Sequence, residues 1–507
     1  MVQSSVVLPW PWTAAVLVFA TVQVLLFLYS AHRLLTLRRW ARARHRPQLP
    51  LVEPAEWPPV TVQLPVFNER AVVHRLIDAT AALDYPAHRL QIQVLDDSTD
   101  DTFARARERV GYWRQRGVAI DLLHRDDRAG YKAGALAAGL KRASGSIIVV
   151  FDADFVPASD FLRRIVPRFS DPCVGMVQAR WGHLNRERSA LTIAQATMLD
   201  AHFLLEHAAR MTSGLFFNFN GTAGAWRRTC IEDAGGWAHD TLTEDLDLSY
   251  RAQLKGWRFL AANDIEAPAE LPADVLALKS QQRRWAKGSI QTARKVLPAL
   301  MSSALPARVK IEAVVHLTAN VTYPLLLISG ILLPAVLAIP NSLPWRIAVL
   351  LDAGAIVCGV LPVVAFLYAG QVAAGRKAAS RPRDILCTLV VGAGLTLNNS
   401  VAVLGGLRKP LGDWERTPKT GETAGAAGRR TYASRRDPGA VIEILLAAFF
   451  SGAAAFALHE GLFRSLPFLL LLAVGLGTVG VQSVWRPENM HFILRKVAPA
   501  RRTEEHA

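Results

Sequence analysis

The stretch Ser146–Asp154, SIIVVFDAD, sets five apolar residues directly before two carboxylates, Asp152 and Asp154. An apolar run this short, rich in β-branched residues, reads as a strand buried on both faces. Carboxylates at the end of such a strand cost stability unless something binds them. Working outward, Val60–Pro65, Gln91–Leu95 and Ala119–Leu123 have the same character, and the segments between them are long enough for crossover helices. The pattern predicts an open α/β sheet of parallel strands, whose ligands bind beyond the carboxyl ends of the strands. Asp96 and Asp97, directly after QIQVL, fall at another of those ends.

The rest of the chain is unlike a soluble domain. It has 507 residues, 51% of them hydrophobic, and a mean hydropathy of +0.20, so part of it is expected in lipid. Lys and Arg total 58 against 42 Asp and Glu, a net charge of +16. That surplus suits an anionic membrane surface or a phosphate-bearing substrate. Nucleic acid is excluded as a partner, because no helix-turn-helix, RNP or zinc-finger pattern accompanies the charge. The four cysteines are far apart and form no C-x-x-C pair, so neither a disulfide framework nor a structural zinc site is expected.

An apolar stretch from Trp12 to Leu37 can cross a hydrocarbon core of roughly 30 Å and is followed by Arg38, Arg39, Arg42, Arg44 and Arg46, which places the N-terminus outside and the next segment in the cytosol. Met1–Pro11 carries no charge, so this is read as an uncleaved anchor. Further candidate spans are Ala313–Ile339, Arg346–Ala369, Ile385–Leu407, Val441–Leu458 and Leu466–Trp485. If all crossed, the basic loop Arg408–Arg436 and the basic C-terminus would both lie outside, against the positive-inside bias. Ile385–Leu407 is weakened by Gly392, Gly394, Gly405 and Gly406 and interrupted by Asn398, Asn399 and Ser400, so it is expected to lie in the interface. The expected organisation is an anchor at 1–37, a basic, Pro-rich linker at 38–59, a catalytic domain at 60–300, a helix pair at 301–383, an interfacial helix and loop at 384–437, and a second helix pair with a basic tail at 438–507. That gives five spans, with the C-terminus and the catalytic domain in the cytosol, in a bacterial inner or cell membrane.

Several clusters could carry chemistry. Asp152-x-Asp154 suits Mg²⁺ or Mn²⁺, hard cations that take few protein oxygens and fill their remaining positions with diphosphate and water; an Asp beside a strand end is equally a helix cap. Lys132, in GYKAGALAAGL, could reach a phosphate, or could be a solvated lysine on an Ala-rich helix. In LTEDLDL, Asp245 is a candidate general base for an acceptor hydroxyl; Thr243 and Glu244 beside it also fit the start of a helix that Thr243 caps. In QQRRW, Gln281, Arg284 and Trp285 combine diphosphate-binding and sugar-stacking groups, and an Arg/Trp membrane anchor has the same composition.

The order of these motifs is more specific than any one of them. VQLPVFNER, VQVLDDSTD, GYKAGAL, IVVFDADFVP, VQARW, NFNGTAGAWRR, AGGW, LTEDLDLSYRAQLKGW and QQRRW follow one another between Val60 and Ile290. The chain resembles the family 2 membrane glycosyltransferases, the branch of cellulose synthase, hyaluronan synthase and the cellulose synthase-like mannan, glucomannan and glucan synthases. The resemblance implies an α/β GT-A domain, Rossmann-like in its nucleotide-sugar site, inserted between transmembrane helices of a multi-pass protein. It assigns Phe67, Glu69 and Asp97, with Asp96 beside them, to the nucleoside, Asp152 and Asp154 to a metal-bound diphosphate, and Lys132 to a phosphate. Asp245 becomes the base within the catalytic Thr243-Glu244-Asp245 motif. Gln281, Arg284 and Trp285 hold diphosphate and acceptor sugar, and Asn220, Gly221 and Thr222 lie near the acceptor terminus. Trp414, Thr417 and Lys419 match the spacing of a gating loop that reaches the nucleotide, although Arg416 replaces an apolar residue and Pro418 stiffens the loop.

The implied activity is inverting, metal-dependent transfer of a hexose from UDP- or GDP-hexose to a growing β-glycan, with translocation through the helices. A rival is single transfer to a membrane lipid; a catalytically silent scaffold would have no use for these acids. No partner subunit is assigned.

Overall fold

A computed structural model describes residues 10–44, 53–338, 359–408, 421 and 437–485. Helix α1 (Trp10–Ala43) precedes an α/β domain of β1 (Val60–Val66), α2 (Val73–Ala81), β2 (Leu90–Asp96), α3 (Thr102–Arg114), β3 (Ile120–His124), α4 (Tyr131–Lys141), β4 (Ile147–Val150) and α5 (Phe161–Ile165). The four strands expected from their apolar runs all form, and they pair in parallel in the order β3-β2-β1-β4. Val60, Val62, Leu64, Ile92, Val94 and Val149 are all fully buried in the core that this half-sheet shares with α2, α3 and α5.

The second half of the sheet departs from a purely parallel design. β5 (Val174–His183) is followed by α6 (Ala190–Ala201), a π-helical turn at His202–His207, α7 (Ala208–Thr212), β6 (Gly224–Arg227), α8 (Arg228–Asp233), α9 (Glu244–Leu254) and β7 (Arg258–Ala269). β6 runs antiparallel to both β4 and β5, and β7 is parallel to β5, which completes a mixed seven-stranded sheet.

α10 (Val275–Ser302) then leaves the domain and leads to α11 (Ala307–Thr318) and α12 (Thr322–Leu337), α13 (Leu361–Ala373), α14 (Arg381–Gly394), α15 (Thr396–Gly406), α16 (Gly439–His459) and α17 (Leu466–Val484). Among the described residues four segments are long and apolar enough to cross a membrane: Trp12–Ala43, Ala307–Leu337, Gly439–His459 and Leu466–Val484. Of the expected span Arg346–Ala369, only the part from 359 onward is described, and its apolar helix has 13 residues.

The segment expected in the interface forms two helices, α14 and α15, bent by 52°. The bend falls at Leu395, just ahead of the polar Asn398–Ser400 run. Those polar residues serve a different purpose: Asn398 donates to the Lys279 carbonyl at 3.1 Å and accepts from the Arg283 guanidinium at 3.0 Å, so α15 lies along α10.

Candidate active site

The carboxyl ends of β1, β2 and β4 meet the N-terminus of α9 and one face of α10 around a single pocket lined by Phe67, Glu69, Asp97, Lys132, Asp152, Asp154, Asn220, Gly221, Thr243, Glu244, Asp245, Gln281, Arg284 and Trp285. Side chains assigned from motifs spread over more than 200 residues are thus brought together.

Lys132 stands in the first turn of α4 and donates to Asp152 Oδ1 at 2.5 Å and to the Gly221 carbonyl at 2.8 Å. Burial pulls its ammonium toward the neutral form, but Asp152, Glu244 and Asp245 outweigh it and hold its pKa above the usual lysine value. Asp152 is held at its backbone as well, where its N–H donates to Thr222 Oγ1 at 2.8 Å. Thr222 is therefore fully buried behind the pocket and shapes it through Asp152.

Asp245 sits at the start of α9, with Oδ1 accepting from Leu246 N–H at 2.8 Å. Burial, then the neighbouring Glu244 carboxylate, pushes its pKa up to about 7. Gly221 faces it with φ +81°, and a Cβ there would lie 2.9 Å from Asp245 Oδ2. Glycine supplies both the left-handed backbone and the clearance that this approach needs. Thr243 does not cap α9 with its side chain as its sequence position suggested. Its Oγ1 is engaged with Thr292 Oγ1 on α10 at 3.1 Å, and a Cβ on Gly288 of α10 would come within 2.5 Å of Thr243 Cγ2.

On the opposite side, Arg125 grips Asp97 through two nitrogens at 2.7 and 2.5 Å, and the Arg128 guanidinium lies 3.3 Å from the centre of the Phe67 ring. Asp96 is fully buried against His124 Nδ1 at 2.6 Å and is not among the lining residues. Thr417 and Lys419 lie outside the described residues. Near them in sequence, Gly421 donates its N–H to Glu270 Oε2 at 3.0 Å, and Glu270 lines the pocket.

The sequence reading missed Arg128, Trp181, His183, Glu270, Leu271 and Pro272, all of which also line the pocket. Trp181 and Trp285 pack against the same small apolar cluster, so two indoles flank this end. VQARW was visible as a motif, but nothing in its composition marks Trp181 as pocket-facing.

No group of three or more His, Cys, Asp or Glu side chains among the described residues forms a closed metal cage. The pair Asp152 and Asp154 fits a different kind of site. Two hard carboxylate donors at a pocket floor, one of them already facing the Lys132 cation, suit a divalent ion whose other positions are filled by a ligand's phosphates and water.

These motifs also match a known family model, described as "Glycosyltransferase like family 2", over residues 58–288. Residues 58–288 are a family 2 glycosyltransferase domain. Glucomannan 4-beta-mannosyltransferase 2 of Arabidopsis thaliana is 44% identical over 248 residues, covering 48% of this chain and 46% of the relative. Glucomannan 4-beta-mannosyltransferase 1 of Oryza sativa subsp. japonica is 39% identical over 299 residues, 56% of this chain and 57% of the relative. The chain spans about half the length of these curated relatives. Among solved structures, the mannosyltransferase PcManGT from Pyrobaculum calidifontis in complex with GDP-Man and Mn²⁺ superposes with a TM-score of 0.52 at 24% identity, covering 77% of this chain and 99% of that one. The family 2 domain has the GT-A fold, here with a mixed sheet flanked by apolar helices. Both curated relatives are plant proteins, and they lend no support to a bacterial membrane.

Proposed function

We propose that the protein is an inverting, divalent-metal-dependent hexosyltransferase that extends a β-linked glycan at the cytosolic face of a membrane, with a mannosyl donor of the GDP-mannose type. The observation that carries this reading is Asp245, a carboxyl with its pKa near neutrality, placed across Gly221 from the Lys132–Asp152 pair. Support for the sugar and linkage comes from the names of the curated relatives, glucomannan 4-beta-mannosyltransferases.

The chemistry follows from the placement. The acceptor hydroxyl gives its proton to Asp245 as its oxygen bonds to the anomeric carbon. The bond from that carbon to the diphosphate oxygen breaks on the opposite face, which inverts the centre. Lys132 and Arg284 meet the charge that develops on the leaving diphosphate. A bound Mg²⁺ or Mn²⁺, held by Asp152 and Asp154, would add Lewis-acid stabilisation of that diphosphate. Phe67, Glu69 and Asp97 form the nucleoside end, and Trp285 with Gln281 the acceptor end. In this reading α14 and α15 stay on the cytosolic side, because α15 is bonded along α10, the helix that carries the pocket residues.

The test is incubation of the purified full chain with labelled GDP-mannose, GDP-glucose and UDP-glucose, each with Mg²⁺ or Mn²⁺, followed by sizing, β-mannanase digestion and organic-solvent extraction. The expected result is an aqueous, β-mannanase-sensitive oligomer or polymer from GDP-mannose. Label confined to the organic phase would overturn the glycan acceptor, and no transfer from any donor would overturn the enzyme.

A further inference from the structure

α10 presents two faces to two different parts of the molecule. With a helical repeat of about 100° per residue, Gln281, Arg284 and Trp285 lie at roughly 200°, 140° and 240° from Lys279, and Gly288 at about 180°. That face lines the pocket and abuts Thr243. Lys279 occupies the opposite face, with its side chain 3% exposed. Its ammonium lies 2.7 Å from the Glu443 carboxylate on α16, forms an ion pair with Asp437 just before α16, and reaches Ser483 Oγ on α17 at 3.4 Å. One turn on, Arg283 contacts the same Asp437 at 3.7 Å and also Asn398 of α15.

Burying charges in this way is a poor route to stability, since well-packed apolar side chains of similar volume commonly do as well or better. A buried ammonium does impose geometry, because its three donors must meet oxygens fixed on α16 and α17. We infer that Lys279, Glu443 and Asp437 are positioning residues that fix the rotation of α10 about its axis, so that the C-terminal hairpin α16–α17 sets where Gln281, Arg284 and Trp285 stand in the pocket. This rests on the transferase reading of that pocket for its catalytic consequence, though the positional claim can be measured separately.

The experiment uses the full chain in nanodiscs with the joint made apolar (Lys279→Met, Glu443→Leu, Asp437→Asn together), and a charge swap (Lys279→Glu with Glu443→Lys, and Asp437→Asn so that no second carboxylate faces the new one). Turnover, acceptor KM, thermal midpoint and amide hydrogen exchange over residues 280–290 are measured for each. The apolar joint is expected to keep its thermal midpoint, to exchange at least about tenfold faster over 280–290, and to lose at least about tenfold in kcat with a raised acceptor KM. The swap should recover most of the loss. Unchanged exchange in the apolar joint, or faster exchange with parental kcat, would overturn the inference. If the parent itself transfers no sugar, the transferase reading fails instead, and exchange alone still decides whether the joint positions the helix. Should the apolar joint fail to insert, the swap carries the test: a folded swap that restores neither exchange nor kcat counts against the joint.

Discussion

Charge is buried in two places in this molecule, and the two places are built differently. At the pocket floor Asp152, Glu244 and Asp245 all act on the ammonium of Lys132, and burial, with the neighbouring Glu244 carboxylate adding to it, leaves Asp245 with a pKa of about 7. At the base of the helices Arg186 divides its guanidinium between Asp200 at 2.9 Å and Asp384 at 3.0 Å and adds Gln371 at 2.8 Å, with each of these side chains almost wholly buried. The first arrangement faces open space and holds more acid than base, as the proposed binding of a divalent cation requires. The second is closed and joins the turn after β5, and α6, to α13 and α14. A buried carboxylate therefore says little by itself; whether its partners are complete separates a site from a joint.

The largest effect that would break this contrast belongs to Asp245→Asn. It should lower turnover by about 10³-fold or more, within the range for loss of a general base, while nucleotide affinity by calorimetry stays within a few-fold. The variant should also melt no lower than the parent at pH 8. A carboxyl whose folded pKa is raised favours the folded state below its unfolded value and loses that contribution as pH rises through about 7, and the amide has no such loss. Metal removal comes next: excess EDTA should stop turnover and Mn²⁺ or Mg²⁺ should restore it, whereas Asp152→Asn should need far more metal for the same rate. Full activity in EDTA would refute the role given to Asp152 and Asp154.

The acid limb of the pH profile is a smaller effect with a fixed sign. The base must be ionised, so kcat should fall about tenfold per pH unit below about 7 and level off above it. An acid limb centred near pH 4 would remove Asp245 from the role. At the joint the order of effects reverses. Arg186→Met leaves buried Asp200 with only His183 and buried Asp384 with only Arg383 as charged partners among the described residues and should cost about 1–3 kcal/mol, read as a lower thermal midpoint before any change in nucleotide affinity.

The smallest perturbation tests the frame around both regions. Glu460→Cys, in the turn between α16 and α17 and in a background without the native cysteines, should react with an impermeant thiol reagent from outside intact cells. Protection there would mean that α14–α15 crosses the membrane and that the hairpin is inverted.

The sequence was most informative where burial is two-sided. β1 to β4 are short apolar runs ending in acids, and they form close to where those runs lie. β7 carries Asn263, Asp264 and Glu266 because it pairs with β5 alone and has an edge open to solvent, so its pattern is that of a loop. β5 shifts register between Ala179 and Arg180, which breaks the alternation that would mark Trp181 and His183 as facing the pocket. The joints were invisible for another reason: Arg186, Lys279 and Asp384 are charged residues in polar contexts, and only the fold shows that their partners lie 100 to 200 residues away. The cap expected of Thr243 failed because Thr292, distant in sequence, took its hydroxyl.

One close approach bears on how the protein is made. α14 rests against α17 at Gly394 and Gly475, where a Cβ on Gly475 would lie 2.7 Å from the Gly394 nitrogen. At a synthesis rate of about 5–20 residues per second, α17 leaves the ribosome on the order of ten to forty seconds after Trp285. Until then α14 lacks the surface it rests on, and Lys279 lacks Glu443 and Ser483. The family 2 domain can complete its sheet while still tethered, but its QQRRW helix is seated last, so a nascent chain stalled before α16 should bind nucleotide and transfer nothing.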